Sequence, residues 1–343
     1  MTSRSTQAET IGDLGEFPLI SLITRNLTLP PAVSVGPGDD CAAYLINGSA
    51  LTTTDMLIEG VHFRRSWSSP ADIGHKSVAV NLADVEAMGG TPVAMVISLG
   101  LPADLPVTWV KEFMTGVREE AELGGVALVG GDMTGARDIS ISVTVIGETA
   151  GRGPILRSGA RPGDIVAVCG RLGWAAAGLA ALLRGFRSPR AAVDSQRAPK
   201  VPYGAGRQAA DAGATAMIDV SDGLLADLGH IAEASGVAID LDSARFTIAE
   251  PVQAVAAALN ADPRVMEFFP ACLTRGESDA QRPDRPQVDQ RMQVLRVLGQ
   301  QGPNDRRLAR AARAPQQRMV GRKAIEKLFS IAAQLIALGI NSD

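Results

Sequence analysis

Residues 36–62 begin with Gly-Pro-Gly-Asp-Asp-Cys-Ala at 36–42 and end with Thr-Thr-Asp-Met-Leu-Ile-Glu-Gly-Val-His at 53–62. The stretch holds many carboxylates and hydroxyls but no Lys or Arg. Neighbouring carboxylates repel one another unless a cation lies between them. Oxygen ligands suit hard divalent cations, and Mg²⁺ is commonly bound together with phosphate groups. The stretch therefore predicts a magnesium site, to which the rest of the chain would supply further ligands.

The composition indicates a folded protein that does not bind nucleic acid. Of 343 residues, 46% are hydrophobic and only 4% are aromatic, so we expect two domains with aliphatic cores. The net charge is −4 for the chain and −10 for residues 1–263, whereas proteins that bind a phosphate backbone present a basic surface. The cysteines form no CxxC pair, and no run of about 18 apolar residues occurs. We therefore expect a cytoplasmic protein without a membrane span or export signal.

The first half of the chain alternates strands and helices. An apolar stretch before Pro30-Pro31 predicts an N-terminal helix, and Asn47-Gly48 predicts the turn of a hairpin between Cys41–Ile46 and Ala50–Thr54. Five further elements are predicted: a helix at Ala71–Met88 that begins after Ser69-Pro70, a strand at Val93–Leu101, a helix at Pro106–Leu123, and strands at Val126–Val129 and Ile139–Ile146. Such a mixture is typical of a two-layer α/β domain, which we place at residues 1–148.

A second α/β domain is predicted at residues 149–343. Its predicted elements are strands at Ile165–Cys169, Ala216–Ile218 and Val237–Leu241, and helices at Gly173–Arg184, Tyr203–Ala212 and Asp222–Ser235. Residues 264–343 are atypical, because they are rich in Arg, Gln, Asp and Pro and regain a helical apolar pattern only at Lys323–Leu338. We expect this part to fold poorly, and a reading-frame change in the source gene near the Pro263 codon is our hypothesis for it.

Acidic side chains stand at the ends of predicted strands and on helices. Asp84 has apolar neighbours in sequence, so it is either a buried carboxylate paired with a cation or a solvated surface acid. Gly130-Gly131-Asp132 follows a predicted strand and is either a loop that approaches a phosphate or a plain turn. Asp219 and Ser221 precede the helix predicted from Asp222, and they would cap it. Alternatively, the acids Asp219 and Asp222 would bind a metal, and the N-terminus of the helix would bind a phosphate. Each pattern alone leaves both interpretations open.

Several well-known catalytic patterns are missing from the sequence. It contains no GxxxxGK[ST] loop, no HRD or DFG kinase set, no HExxH and no dinucleotide-binding fingerprint. A nucleotide would therefore be held mainly through metal ions and glycine backbone. No role is assigned to His75, and His230 is interpreted as a packing or capping residue.

Seven short motifs occur in a fixed order along about residues 14–262. They are Gly-Glu-Phe at 15–17, Gly-Pro-Gly-Asp-Asp-Cys-Ala at 36–42, Thr-Thr-Asp-Met-Leu-Ile-Glu-Gly-Val-His-Phe at 53–63, Asn-Leu-Ala-Asp-Val-Glu-Ala-Met-Gly at 81–89, Gly-Gly-Asp at 130–132, Arg-Ser-Gly-Ala at 157–160 and Ile-Asp-Val-Ser-Asp-Gly-Leu at 218–224. Together and in this order they resemble the thiamine-monophosphate kinase family, related to aminoimidazole ribonucleotide synthetase and selenophosphate synthetase. The resemblance implies a two-domain PurM-like fold of the α/β (α+β) class, with a mixed N-terminal sheet covered by helices on one face.

The resemblance also implies a homodimeric enzyme that transfers the γ-phosphoryl group of ATP to thiamine monophosphate with the help of several Mg²⁺ ions. By position, the implied metal ligands are Asp40, Thr53, Thr54, Asp55, Asp84, Asp132, Asp219 and Asp222. The implied ATP contacts are Gly131, Asp132, Arg157 and Ser221, and the implied substrate contacts are His62 and Glu277. Glu277 lies in Thr274–Asp279, the nearest sequence to a family motif that is otherwise missing after Pro263.

The chemistry favours direct in-line transfer without a covalent enzyme intermediate. The acceptor phosphate is already ionised near neutral pH, and a cluster of Mg²⁺ would offset the repulsion between the two phosphates that are joined. Two other hypotheses remain open. The chain would be a Mg-nucleotide-binding protein without kinase activity if the altered C-terminal part removed the substrate site, or a related ATP-dependent synthetase that acts on another substrate.

Overall fold

The computed structural model describes residues 9–25, 27–37 and 41–268 of the chain. Within these ranges it forms six strands, β1 Val33–Val35, β2 Ala43–Tyr44, β3 Ala50–Ile58, β4 Thr91–Leu101, β5 Ala127–Gly135 and β6 Ser140–Glu148. The same ranges contain ten α-helices, α1 Ile11–Leu14, α2 Glu16–Thr24, α3 Pro70–Ala87, α4 Val107–Gly124, α5 Trp174–Leu183, α6 Arg190–Arg197, α7 Ala205–Asp211, α8 Leu224–Ser235, α9 Glu250–Ala258 and α10 Pro263–Phe268. None of these helices combines the length and apolarity that a membrane span needs.

The first half is built on a four-stranded mixed sheet with the strand order β3-β6-β4-β5. Strand β6 is antiparallel to both β3 and β4, whereas β4 and β5 are parallel. The hairpin predicted at Asn47-Gly48 is wrong, because β2 pairs with β1 in a separate two-stranded sheet. Strand β3 pairs with β6 instead, where Leu51 and Leu57 contribute to the core under the helices.

Helices α3 and α4 cover one face of this sheet, as predicted. Helix α3 begins with a capping box in which Ser69 accepts a hydrogen bond from the Asp72 amide at 3.1 Å and Asp72 accepts one from the Ser69 amide at 2.9 Å. The two helices approach closely at Gly74 and Gly116, since a Cβ on either glycine would lie within 2.2 Å of a main-chain oxygen of the other helix. This close contact fixes α3, which carries the candidate site residue Asp84.

The main core lies between the sheet and these two helices, and it includes the fully buried Val78, Phe113 and Val145. Among the described residues, the other face of the sheet is covered at one end, where Val33 of β1 packs against β4 and β5. Towards the other end no described element packs on that face, and Met56 is 53% exposed. The first half therefore has the two-layer α/β arrangement that the sequence predicts.

The second half is helical in the part that the structure describes, which ends at Phe268. Helices α5, α6, α9 and α10 share one small core, and α8 packs into another. The helices α5, α7 and α8 confirm the three that the sequence predicts there. The strands predicted at Ile165–Cys169, Ala216–Ile218 and Val237–Leu241 are not formed among the described residues, where no neighbouring strand supplies the hydrogen bonds of a ladder.

Candidate metal and phosphate site

Strand β3 and helix α3 bring together the residues at the centre of the site. Side chains alternate along a strand, so Thr53 and Asp55 lie on the same face as Leu57, which packs towards the helices. The hydroxyl of Thr53 donates a hydrogen bond of 2.5 Å to Oδ2 of Asp84. Asp84 is half-buried and hydrogen-bonded, which excludes the interpretation of a solvated surface acid.

Charged groups from both halves of the chain interact around Asp84. Burial raises the pKa of Asp84, and the Asp55 carboxylate raises it further. Burial also raises the pKa of Asp219, and the carboxylates of Asp84 and Asp227 add to this effect. The guanidinium of Arg157 acts in the opposite direction and lowers the pKa of both Asp84 and Asp219. Carboxylates that oppose one another's ionisation in this way are stabilised by a cation between them.

The oxygen ligands at this site are of the kind that Mg²⁺ binds, but they do not surround one common position. Carboxylate and hydroxyl oxygens are the ligands that Mg²⁺ prefers. In the part of the chain that the structure describes, no group of three or more His, Cys, Asp or Glu residues is arranged to hold a metal ion. Asp40 lies outside the described residues, so its place in the ligand set stays a prediction.

Thr54 and Asp132 lie on the other face of the sheet. The hydroxyl of Thr54 donates to the carbonyl of Val143 at 3.2 Å and accepts a hydrogen bond from Thr144 at 2.9 Å. Asp132 has the opposite orientation to its neighbour Met133, which packs towards the helices. The side chains of Thr54 and Asp132 are therefore not brought together with those of Thr53, Asp55 and Asp84.

The strand register also separates Asp55 from the predicted ATP contact Gly131. Asp55 pairs with Val143, Val143 with Ile97, and Ile97 with Gly131, so the first and last members of this row lie at opposite edges of the sheet. Three strand spacings amount to about 14 Å. Within one chain, Asp132 therefore cannot bind the same metal ion as Asp55.

Gly130-Gly131-Asp132 is neither the loop nor the turn that the sequence suggested, because β5 continues through it to Gly135. The strand continues because β4 supplies backbone partners for this segment. A Cβ on Gly131 would lie 2.0 Å from the carbonyl oxygen of Ile97. The close approach of β4 therefore requires glycine at this position, whether or not a ligand binds there.

The loop before α8 is held by Asp227, to which sequence reasoning gave no role. Asp227 is 3% exposed, and its Oδ2 accepts hydrogen bonds from the amides of Ser221, Asp222 and Gly223 at 3.0, 3.2 and 3.1 Å. Burial raises the pKa of Asp227, and these three bonds act against that effect. The interpretation that Asp219 or Ser221 caps the helix is wrong, because the N-cap residue is Gly223, which has no side chain to accept a capping hydrogen bond.

These bonds limit how the loop can bind a phosphate. The three amides donate to Asp227, so they are not available to a phosphate at the N-terminus of α8. The side chains of Ser221 and Asp222 remain exposed and are the groups that the loop can offer to a ligand. A carboxylate four residues after a glycine at a helix start is the sequence signal that could have identified Asp227.

His62 lies beside a cavity between β3, α3 and the second half of the chain. The cavity has a volume of about 310 Å³ and is lined by side chains that include Asp55, His62, Lys76 and Leu179. The amide of Ile58 donates to Nδ1 of His62 at 3.1 Å. An accepting Nδ1 carries no proton, so Nε2 is the donor atom of this ring. Glu277, the other predicted substrate contact, lies outside the described residues.

Helix α3 is also joined to the second half by a buried carboxylate. Glu86 is 9% exposed and accepts hydrogen bonds from the amides of Gly204 and Gly206 at 2.7 and 2.8 Å, at the start of α7. Nearby, the hydroxyl of Tyr203 donates to Glu120 on α4. Burial raises the pKa of Tyr203, and its bond to Glu120 raises it further. These contacts hold the helix that carries Asp84 against the second half.

Comparison with known proteins assigns both halves to one class. The N-terminal domain of AIR synthase related proteins matches residues 38–149, and the C-terminal domain of the same proteins matches residues 161–271. The mixed sheet, the covering helices and the acidic site at their edge therefore belong to an AIR synthase related protein. The predicted fold class is confirmed.

More similar proteins narrow this assignment. A thiamine-monophosphate kinase of Mycobacterium tuberculosis is 44% identical over 280 residues, which cover 81% of this chain and 83% of that protein. The crystal structure of thiamine monophosphate kinase from Aquifex aeolicus matches with a TM-score of 0.61 and 36% identity, over 64% of this chain and 75% of that chain. AaThiL complexed with AMPPCP and TMP matches with a TM-score of 0.58 and 34% identity, over 75% and 82%. The chain belongs to the thiamine-monophosphate kinase family, as its seven motifs predict.

Proposed function

We propose that this chain phosphorylates thiamine monophosphate with ATP and releases thiamine diphosphate and ADP. The observation that carries the proposal is the contact between Thr53 and Asp84 beside Asp55, in a chain that belongs to this family. The relative that was complexed with AMPPCP and TMP supports this pair of substrates. The cavity beside Asp55 and His62 is of the size that small-molecule ligands occupy.

The reaction requires mainly positioning and charge neutralisation from the protein. An oxygen of the acceptor phosphate forms a bond to the γ-phosphorus of ATP, the bond from that phosphorus to the bridging oxygen breaks, and ADP leaves with the electron pair. The acceptor oxygen is already ionised, so no general base is needed. Bound Mg²⁺ would neutralise charge on the phosphates. We propose Thr53, Asp55, Asp84 and Asp219 as ligands, because Thr53 contacts Asp84 and the carboxylates of Asp55 and Asp219 interact with that of Asp84.

Of the remaining predicted residues, some are given roles from their positions in the structure and the others from family resemblance alone. Arg157 and Ser221 would contact ATP phosphates, since Arg157 interacts electrostatically with Asp84 and Ser221 is exposed on the loop before α8. Nε2 of His62 would donate to the acceptor. The ligands proposed from family resemblance alone are Asp40, Thr54, Asp132 and Asp222, with Gly131 as an ATP contact and Glu277 as a substrate contact.

We also propose a homodimer, a domain boundary between residues 148 and 149, and a cytoplasmic location. In the part of the chain that the structure describes, no further strand pairs with β3 or β5 at the two edges of the sheet, and part of one face is exposed, which supports the dimer. The free and exposed Cys41 and Cys169 fit a reducing compartment. Light scattering of the purified chain would measure the dimer directly, and a monomeric mass would contradict it.

Coupled ADP release by the purified full chain, with Mg²⁺ and thiamine monophosphate, tests the proposed function. We expect ADP release that depends on thiamine monophosphate, and we expect Asp55→Asn and Asp84→Asn to lower it by about a hundredfold or more. Asp104→Asn, at an exposed position outside the site, is the matched control. Binding of ATP without such turnover would favour the nucleotide-binding alternative, and normal turnover in either site variant would overturn the metal assignment.

A further inference from the structure

Lys76 places a positive charge in the wall of the cavity that also contains Asp55 and His62. It lies on α3 and is half-buried. Its Nζ donates to the carbonyl oxygens of His62 at 3.1 Å and Gln196 at 3.3 Å. In the described part of the chain, no carboxylate forms an ion pair with Lys76.

This arrangement is unfavourable for a lysine that serves structure alone. Burial lowers the pKa of Lys76 from 10.5 to about 8, because the charged form loses solvent without gaining a carboxylate. An ammonium has three donors, and two of them are used by the carbonyl groups. The third donor has no partner among the residues that the structure describes. A cation with an unused donor in a cavity wall is suited to bind an anionic group of a ligand.

The charges around the cavity restrict which part of a ligand can lie near Lys76. Thiamine monophosphate carries a cationic thiazolium ring and, on a short arm that extends from this ring, a phosphate. The ammonium of Lys76 would repel the ring and attract the phosphate. Asp55 lines the same cavity and is a proposed ligand of Mg²⁺. A phosphate between Lys76 and Asp55 would therefore lie between two positive charges, the ammonium of Lys76 and the Mg²⁺ ion that Asp55 would hold.

We propose that the ammonium of Lys76 binds the phosphate of the acceptor and so contributes directly to substrate recognition. The inference rests on the proposed function, because it concerns the same acceptor. The same ammonium joins the backbone of His62 to the end of α6 through Gln196, so phosphate binding and the position of His62 depend on one group.

Binding measurements with two ligands separate phosphate recognition from a structural role. Thiamine monophosphate and thiamine differ only in the phosphate, and each would be titrated into the full chain in the presence of Mg²⁺. We expect Lys76→Met to weaken binding of thiamine monophosphate by about tenfold or more while binding of thiamine stays within about twofold. Lys76→Arg should recover part of the loss, and Lys111→Met, which removes an exposed lysine of α4, should change neither affinity.

The outcomes distinguish this inference from the proposed function. If the wild-type chain binds thiamine monophosphate and Lys76→Met binds it equally well, the inference alone is overturned. If Lys76→Met weakens both ligands to the same extent, Lys76 acts only through structure and the inference is again overturned. If the wild-type chain binds no thiamine monophosphate, the proposed function fails as well. Thermal unfolding of each variant verifies that it is folded, and Lys76→Gln provides a second neutral replacement.

Discussion

The partly desolvated ammonium of Lys76 should make the wild-type protein less stable than a Lys76→Met variant at neutral pH. Lowering its pKa from 10.5 to about 8 corresponds to about 3 kcal/mol of unfavourable free energy while the group is charged. Methionine keeps an apolar stem but loses the hydrogen bonds to two carbonyl groups, at about 1 kcal/mol each. Lys76→Met should therefore raise the free energy of unfolding at pH 7 by about 1 kcal/mol.

The dependence of this difference on pH is the stronger test. Below about pH 8, Lys76 is charged in the folded protein and in the unfolded chain, so the full penalty applies. Between about pH 8 and 10.5 the unfolded chain binds more protons than the folded protein, so a rise in pH stabilises the wild type. From about pH 7 to about pH 9.5, the wild type should gain about 2 kcal/mol relative to Lys76→Met.

Urea unfolding followed by circular dichroism at several pH values in this range would measure the difference. Other groups titrate in the same range, but they are common to both proteins and cancel when the two free energies are subtracted. Lys111→Met, at an exposed position, should follow the wild type at every pH. A difference between wild type and Lys76→Met that stays constant over the range would refute the reasoning, because Lys76 would then titrate as it does in the unfolded chain.

Three further substitutions test the contacts that shape the site. Gly131→Ala should lower the free energy of unfolding, measured in urea, by about 2 kcal/mol or more, because the new Cβ would meet the Ile97 carbonyl. Gly130→Ala should change it little, because a Cβ there has only an ordinary contact at 3.7 Å, and equal effects of the two variants would contradict the close approach of β4 to Gly131. Asp227→Ala should speed hydrogen exchange of the amides at 221–223 and weaken ATP binding by about tenfold; unchanged exchange would mean that Asp227 does not hold the loop. Glu86→Gln should lower the free energy of unfolding by about 2 kcal/mol, because it removes the charge that accepts the hydrogen bonds from the Gly204 and Gly206 amides. The exposed Glu122→Gln is the control, and an equal loss in that variant would show that the effect does not depend on these two hydrogen bonds.

The elements that the sequence predicted well are those decided by neighbouring residues. The start of helix α3 was predicted to within one residue, because the cap formed by Ser69 and Asp72 depends only on residues close in sequence. The pairing of β3 is not local, since the register joins Ala50 to Glu148. The turn signal at Asn47-Gly48 contains no information on that distant partner, so the predicted hairpin failed.

The sequence predicted which residues belong to the candidate site better than it predicted how they are arranged. The family resemblance implied that Thr53 and Asp84 both belong to the metal site, and the structure joins their side chains by a hydrogen bond. Which face of the sheet Thr54 takes, and how far Asp132 lies from it, depend on strand pairing that no motif encodes. The sequence analysis did not identify Lys76, because a lysine on a helix is usually solvated. Only the structure shows that its ammonium donates a hydrogen bond to the backbone carbonyl of His62.

Helix α3 fixes the distance between two groups that the proposed reaction uses. It carries both Lys76, beside the cavity, and Asp84, at the metal site, and eight residues of helix set their separation along its axis at about 12 Å. One inserted or deleted residue between them would turn one group by about 100° relative to the other. The number of residues in this interval should therefore be invariant among relatives that use both groups, even where the residues themselves differ.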